Sequence, residues 1–331
     1  MIRTATAAVA APPPRKSRLS EVKTGALDTP ERVFVYGQEG VGKSTYLASC
    51  PGIIVIGETD GTRRLNVARY PSPDAWTWEY LLEALDDITH TEHSYKALGI
   101  DGMDWIEPIN WDCVCREGDG KGSRKTIKDF AYNEGYVAAI AKWRDFAARL
   151  DRLRTKRGMH IILTAHSTVK TLTLPGSDVA FDHYETALYA GKSSSSNGFW
   201  KGWCDHLLFA HHDDMVKPAS NGKGKGMAVG TDARFLETTH TAYWDAKSRY
   251  PLPAQMSLDS GWDGLMAEIK NSDGESNEAV LARISAILEE LGDEELTSKV
   301  EASLAMRQED SVMLARVLNR VTTISQERSV Q

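Results

Sequence analysis

Gly37, Gly42, Lys43 and Ser44 stand at the spacing G-x-x-x-x-G-K-S in the segment GQEGVGKS. That arrangement holds a polyphosphate. Glycines let successive backbone N–H groups close around phosphate oxygens at the positive end of the helix that begins near Gly42. Lys43 adds a point charge, and the Ser44 hydroxyl is suited to Mg²⁺. Gln38, Glu39, Gly40, Val41 and Thr45 complete the cradle, so the ligand class is a nucleoside triphosphate, with ATP and Mg²⁺ as the expected pair. A second metal contact requires a carboxylate at the end of another strand, and Asp101 ends the apolar run YKALGID. The rival reading of Asp101 is a helix N-cap, because GMDW opens a helix and aspartate is favoured there. Hydrolysis also needs a group to orient water, for which Glu58, Asp60 and Asp104 are candidates. His166, at the polar tip of HIILTAH, is a candidate γ-phosphate sensor or else a loop histidine at the sheet edge.

The elements that must position these groups are readable from apolar periodicity. VFVY is a buried strand, and KSTYLASC is a helix stopped by Pro51. Ile53 to Gly57 is a second strand, and Tyr95 to Asp101 a third. His160 to His166 is a fourth. Between them, Asp74 to Ile88 carries Trp78, Leu81, Leu82, Leu85 and Ile88 at helical spacing, with Ser72 or Asp74 as cap; Asn133 to Arg154 repeats the pattern. Strands alternating with helices predict an α/β fold with a mostly parallel sheet and crossover helices. Ser167 to Gly202 shows no sustained periodicity and predicts a long loop. Leu207 to His211, Ala233 to Thr238 and Ala242 to Ala246 predict short strands extending the sheet antiparallel, with KPASNGKGKG as a flexible basic turn. The expected division is a disordered extension over 1–18, an ATPase core over 19–270, a linker over 271–277 and a helical region over 278–331.

The chain of 331 residues has a net charge of −7, which confines any nucleic-acid contact to local patches. Its four cysteines, Cys50, Cys113, Cys115 and Cys204, form no C-x-x-C pair and predict reduced cytosolic thiols rather than a metal site. No apolar run reaches the length of a membrane span. Two patches combine features that single strands need. KGSRKTIK supplies Lys121, Arg124, Lys125 and Lys128 without an acid, while Lys170, Lys192, Trp200 and Lys201 place charge and aromatic surface in or beside the long loop. Cations follow phosphates and aromatic rings stack on bases. The alternatives are a solvated basic turn and core aromatics.

The segments VYGQEGVGKST, DGTRRLNVARYP, YKALGIDGMDWIEP, FAYNEGYVAAI, IILTAHSTVK and AYWDAKSRYPLP resemble the phage-encoded RecA-core ATPases that act as single-strand annealing recombinases. The resemblance runs from about Leu19 to Asp259. It implies a RecA-like core, slow DNA-stimulated ATP hydrolysis, and cytoplasmic action in a bacterial host on single-stranded DNA. It also implies head-to-tail self-assembly into a ring or filament, with a single-strand-binding protein as a further candidate partner. In that pattern Lys121 to Lys128 fall in a first DNA loop and Ser167 to Lys201 in a second. Lys247 and Arg249 become candidates for cations that reach a neighbour's γ-phosphate. Two positions depart from the family. Thr59 stands where its acid usually does, one step after Glu58, and Gly102 replaces a hydroxyl residue after the magnesium aspartate. A DNA motor and a nucleotide-gated adaptor acting through the helical tail are the competing functions.

Overall fold

The computed structural model describes Val22 and residues 29–57, 59–120, 122–173, 176, 179–192, 194–217, 227–274 and 277–304, then 314, 317, 318, 320–322, 324 and 325. Within these, strand β1 (Arg32–Gly37) leads through the glycine loop into helix α1 (Lys43–Ala48). There follow β2 (Ile53–Gly57), the single turn α2 (Thr59–Thr62), β3 (Ala68–Arg69), α3 (Trp78–His90), β4 (Ala97–Asp101), α4 (Met103–Glu117) and α5 (Glu134–Arg157). The second half contains β5 (His160–Thr173), β6 (Ala180–Thr186), α6 (Ser196–Trp203), β7 (His206–Lys217), β8 (Met227–Glu237), β9 (Gln255–Ser257), α7 (Gly261–Gly274), α8 (Asn277–Leu291) and α9 (Glu294–Leu304).

The sheet runs in the order β3-β2-β4-β5-β1-β7-β8-β9, with β6 paired to β5. Strands β3, β2, β4, β5, β1 and β7 are parallel, and the antiparallel pairings are β5–β6, β7–β8 and β8–β9. The central strands are apolar on both faces because both faces are covered. Phe34 and Tyr36 point into a core built with Trp78, Leu81, Ile106, Trp143, Phe146 and Leu150 of α3, α4 and α5. Val33 and Val35, one residue out of phase, point into the opposite core with Leu47 of α1 and Trp262 and Leu265 of α7. The mostly parallel α/β fold expected from the sequence is therefore the fold observed.

Register places the chemistry at one end. Gly37 is level with His166 and with Ala210, and Gly57 is level with Asp101. Strand β5 lies between β1 and β4, so its carboxyl end separates the phosphate loop from Asp101.

Several local expectations change. Helix α3 starts at Trp78 with Thr77 as cap, its hydroxyl accepting from the Tyr80 N–H at 3.2 Å, rather than at Ser72 or Asp74. The predicted long loop is largely ordered. Strand β5 continues through Thr173 and pairs with β6 as an antiparallel ribbon that projects beyond the sheet, and α6 follows. The positions the ribbon buries on β6, His183, Glu185 and Thr186, are polar, so apolar periodicity could not mark it. Residues 242–246 form only an isolated bridge, Tyr184 to Trp244. The predicted linker is helical up to Gly274 as the end of α7. Residues 1–18, expected as a disordered extension, and 218–226, most of the expected basic turn, lie outside the described residues. In the tail, Val280, Ile284 and Leu288 of α8 pack with Leu304 of α9 and with Leu314, Leu318 and Val321 in a separate small core. Among the described residues no helix is long and apolar enough to cross a membrane.

Candidate nucleotide-binding site

The loop between β1 and α1 needs glycine where it has it. Gly40 (φ 77°) and Gly42 (φ 108°) adopt left-handed conformations that favour glycine. At Gly37 the reason is contact, since a Cβ there would lie 2.1 Å from the Ala210 carbonyl oxygen on β7. The buried Lys43 ammonium donates to the carbonyl oxygens of Gly37 at 3.0 Å and Gln38 at 2.8 Å. Burial lowers its pKa, against the opposing pull of Asp104, Asp101 and Glu39. A phosphate would supply the counter-charge that burial withholds.

Across the loop, Ser44 Oγ donates to Asp101 Oδ2 at 2.8 Å. The other carboxylate oxygen, Oδ1, accepts from Thr164 Oγ1 at 2.6 Å. Asp101 is thus fixed from α1 and from β5 at once, and it ends its own strand instead of capping α4, whose N-cap is Gly102. The hydroxyl of Ser44 and the carboxylate of Asp101 make a hard oxygen set that fits Mg²⁺. Both face a cleft of ≈ 490 Å³, lined further by Lys43, Thr45, Asp104, Trp105 and His166. Gly61, in the α2 turn, keeps this space open, for its Cβ would stand 3.2 Å from Asp101 Oδ2.

His166 is held in the cleft wall by Asp104. The carboxylate accepts the His166 backbone N–H at 3.2 Å and lies 2.7 Å from ring Nδ1. With Nδ1–H directed at Asp104, only the doubly protonated ring can donate from Nε2 to a phosphate. Asp104 is therefore engaged with His166. Glu58 lies outside the described residues, as does the side chain of Asp60.

The other candidates scatter. Lys247 bridges Leu207 beside β7, where β8 has stopped. Leu207 is level with Phe34, so Lys247 sits about 10 Å short of the Gly37 level along the strands. Among the described residues its ammonium reaches only the Gly202 carbonyl, at 3.5 Å. Arg249 lies further down, paired with Asp205 at 2.7 Å, and neither cation approaches the phosphate loop of its own chain. Of the proposed DNA contacts, Lys125, Lys128 and Lys192 are exposed. Arg124 is paired with Asp119 at 2.7 Å and lies over the Phe130 ring. Lys170 pairs with Glu185, and Lys201 pairs with Asp245 at 2.6 Å. Lys121 lies outside the described residues. Trp200 corrects its expectation outright. It is wholly buried, 5.2 Å from Trp143 in an edge-on contact, and fills the core instead of offering a face to a base.

Sequence reasoning missed Thr164, Trp105 and Arg234. Thr164 had a usable signal, because it lies two residues before His166 and shares its strand face. Arg234 had none, since it donates from β8 to the Val41 carbonyl at 3.3 Å across a sequence separation of 193.

Comparison with known proteins places residues 29–250 in a match to a family described as AAA domain. No curated protein matches the chain. Solved structures similar to it include that of the RadB recombinase, at 13% identity and a TM-score of 0.33, with 63% of this chain and 80% of that one covered.

Proposed function

This chain belongs to the AAA-domain family, and from that premise we propose that it is a Mg²⁺-dependent ATPase whose nucleotide state governs binding to single-stranded DNA. The observation that carries the reading is the line from Lys43 through Ser44 and Asp101 to Thr164, four side chains from three elements converging on one cleft at the ends of parallel strands.

Each residue has a separable role. The loop N–H groups and Lys43 bind and orient the β- and γ-phosphates. Ser44 and Asp101 would hold Mg²⁺, which when bound neutralises charge on those phosphates. Thr164 fixes the Asp101 carboxylate so that Oδ2 stays directed at Ser44. Asp104 sets the ring of His166, which reaches toward the γ-phosphate side of the cleft from the end of β5. Trp105 excludes water from one wall. Glu58 is the proposed water-orienting carboxylate.

The DNA reading is supported by exposed Lys125 and Lys128 just before α5, whose N-terminus lies at the cleft end of the sheet. Head-to-tail assembly would bring Lys247 to a neighbour's nucleotide, and annealing of phage-type single strands in the cytoplasm is the activity such an assembly would serve. The test is ATPase rate with and without single-stranded DNA, with electron microscopy of the assemblies. Slow hydrolysis stimulated by DNA, with rings or filaments in ATP, is the expected result. Fast turnover coupled to strand displacement would replace it with a motor. Hydrolysis indifferent to DNA in particles that bind no strand would replace it with a nucleotide-gated adaptor. Lys247→Ala should lose turnover and regain part of it when mixed with excess Lys43→Ala. Absence of rescue in confirmed mixed assemblies would remove the trans role.

A further inference from the structure

Tyr132 is the most exposed large apolar side chain described, at 95%. Its exposure is built in. The turn before α5 buries Phe130 on one side and Tyr136 on the other, where Tyr136 stacks on Tyr189 at 3.9 Å between ring centroids. Between them Tyr132 (φ 51°) and Asn133 (φ 62°) both take left-handed backbone conformations. Asparagine tolerates that region, whereas a bulky residue there is an outlier. The mount is rigid. A Cβ at Gly135 would lie 2.7 Å from the Phe130 ring and 2.8 Å from the Ile127 carbonyl oxygen, so the turn closes tightly on glycine. A reciprocal cap between Thr126 and Asp129 ties its beginning. An aromatic ring in a disfavoured backbone state, outside the core, on a turn that cannot relax inward, has its use in solvent.

The surroundings select the partner. Lys125 and Lys128 are exposed, and among the described residues neither is ion-paired. The turn carries two exposed acids, Asp129, whose carboxylate accepts the Thr126 N–H at 2.8 Å, and Glu134. Position agrees with charge. Helix α5 has 24 residues and ends at Arg157, just before β5 begins at His160, so the two run antiparallel and the α5 N-terminus rises at the cleft end. A helix of that length spans about 36 Å against about 23 Å for the part of β5 inside the sheet, which lifts Tyr132 roughly 10 Å above the strand ends.

We propose that Tyr132 is the base-stacking residue of a single-stranded DNA site whose phosphates are held by Lys125 and Lys128. This rests on the DNA reading above and adds the aromatic contact that Trp200 cannot supply. Charged side chains follow the backbone while the ring takes a base without sequence preference.

The test uses the full chain with Mg²⁺ and a non-hydrolysable ATP analogue, and a labelled oligothymidylate alongside an abasic strand of the same length. Tyr132→Ala should weaken oligothymidylate binding about fivefold or more, the effect of one lost stack, and leave abasic binding unchanged. Tyr132→Trp should retain or tighten binding. Lys125→Ala with Lys128→Ala should weaken both strands and make the salt slope shallower by about 1.4. Tyr132→Gly should separate ring from backbone, since it removes the stack while raising the melting temperature through relief of the left-handed strain. Wild-type protein that binds neither strand in any nucleotide state overturns both readings. Wild-type binding that Tyr132→Ala leaves intact overturns this one alone, as would a Tyr132→Ala loss confined to self-association.

Discussion

The two ends of the central sheet hold their polar groups in opposite ways. At the amino ends of β1 and β7, Arg32 donates to Asp205 through its backbone N–H at 3.1 Å, Nε at 3.1 Å and NH2 at 2.9 Å, and to Asp151 at 3.3 Å. Arg154 and Arg249 reach the same Asp205 carboxylate at 3.5 and 2.7 Å, and Trp203 donates to Asp151 at 3.2 Å. Beside them Glu31 accepts from the Tyr250 hydroxyl at 3.2 Å and meets His206 at the same distance. Protein satisfies protein there. At the carboxyl ends, among the described residues, Lys43 is bonded only to its own loop's carbonyls, and Ser44 and Asp101 share one contact across an open cleft. One end spends its charges on the fold, and the other keeps them exchangeable for a ligand. Substitutions at the two ends should accordingly separate stability from chemistry.

The largest expected effect is at the open end. Lys43→Ala and Asp101→Asn should each lower ATP turnover by about a thousandfold, the scale on which a single transition-state contact is worth most. Denaturation midpoints should stay close to the wild type. Hydrolysis surviving in both variants would remove the site assignment. At the closed end, Asp205→Ala leaves three arginines facing a vacated, 4% exposed position and should cost about 3–5 kcal/mol in urea unfolding. Nucleotide affinity of the remaining folded protein should be unchanged. The same carboxylate carries a pH signature. Burial would raise its pKa, but the Arg32 guanidinium outweighs burial and holds it below the ordinary range. A depressed folded-state pKa gives stability that is present above the unfolded value, about 3.9, and lost as pH falls toward the folded one. Wild-type stability should therefore drop in acid more steeply than that of Asp205→Asn. Parallel acid profiles would break the comparison.

The open end was also the more legible one, for a physical reason. A phosphate loop is a local structure, with strand, glycines, lysine and helix contiguous, so GQEGVGKS declares itself in eight residues. Asp101 was readable because apolar strands of a parallel sheet end where ligands bind. The closed end is a set of long-range pairings, such as Arg32 with Asp205 across a separation of 173, and nothing near Arg32 signals its partner. Trp200 failed for a related cause. A tryptophan in FWKGW looks alike whether its helix turns it inward or out, and only the position of α5 decides that it packs on Trp143 and Phe146. The β5–β6 ribbon escaped notice because the side chains it buries, His183, Glu185 and Thr186, are polar, while its apolar Val169 and Leu172 are exposed.

Thr164 joins the two regimes, since it is a fully buried, protein-satisfied side chain that acts on the open end. Thr164→Val keeps its shape and removes the 2.6 Å hydrogen bond to Asp101 Oδ1. Loss of one charge-assisted bond, about 1.5–3 kcal/mol, should appear as a fall of roughly tenfold or more in turnover. ATP binding measured without Mg²⁺ should be unaffected, because Thr164 is expected to act through the carboxylate that holds the ion. Equal losses with and without Mg²⁺ would instead make Thr164 a structural residue of the loop.

The smallest effect is expected at Arg249, and its smallness is informative. Although it pairs with the buried Asp205, its own side chain is 59% exposed, and Arg32 and Arg154 already satisfy that carboxylate. A solvent-screened pair that duplicates two better-buried ones contributes at most about 1 kcal/mol. Arg249→Ala should thus shift the urea midpoint slightly, leave turnover of the assembled protein near wild type, and give mixing with Lys43→Ala nothing to rescue. Lys247→Ala should behave in the contrary way, because among the described residues no carboxylate pairs with Lys247 and its ammonium meets only the Gly202 carbonyl. A turnover loss in Arg249→Ala that mixing restores would mean that assembly strips Arg249 from Asp205 and carries it to a neighbour's nucleotide. The closed end of one protomer would then complete the open end of the next, and the separation of the two ends would hold only for the isolated chain.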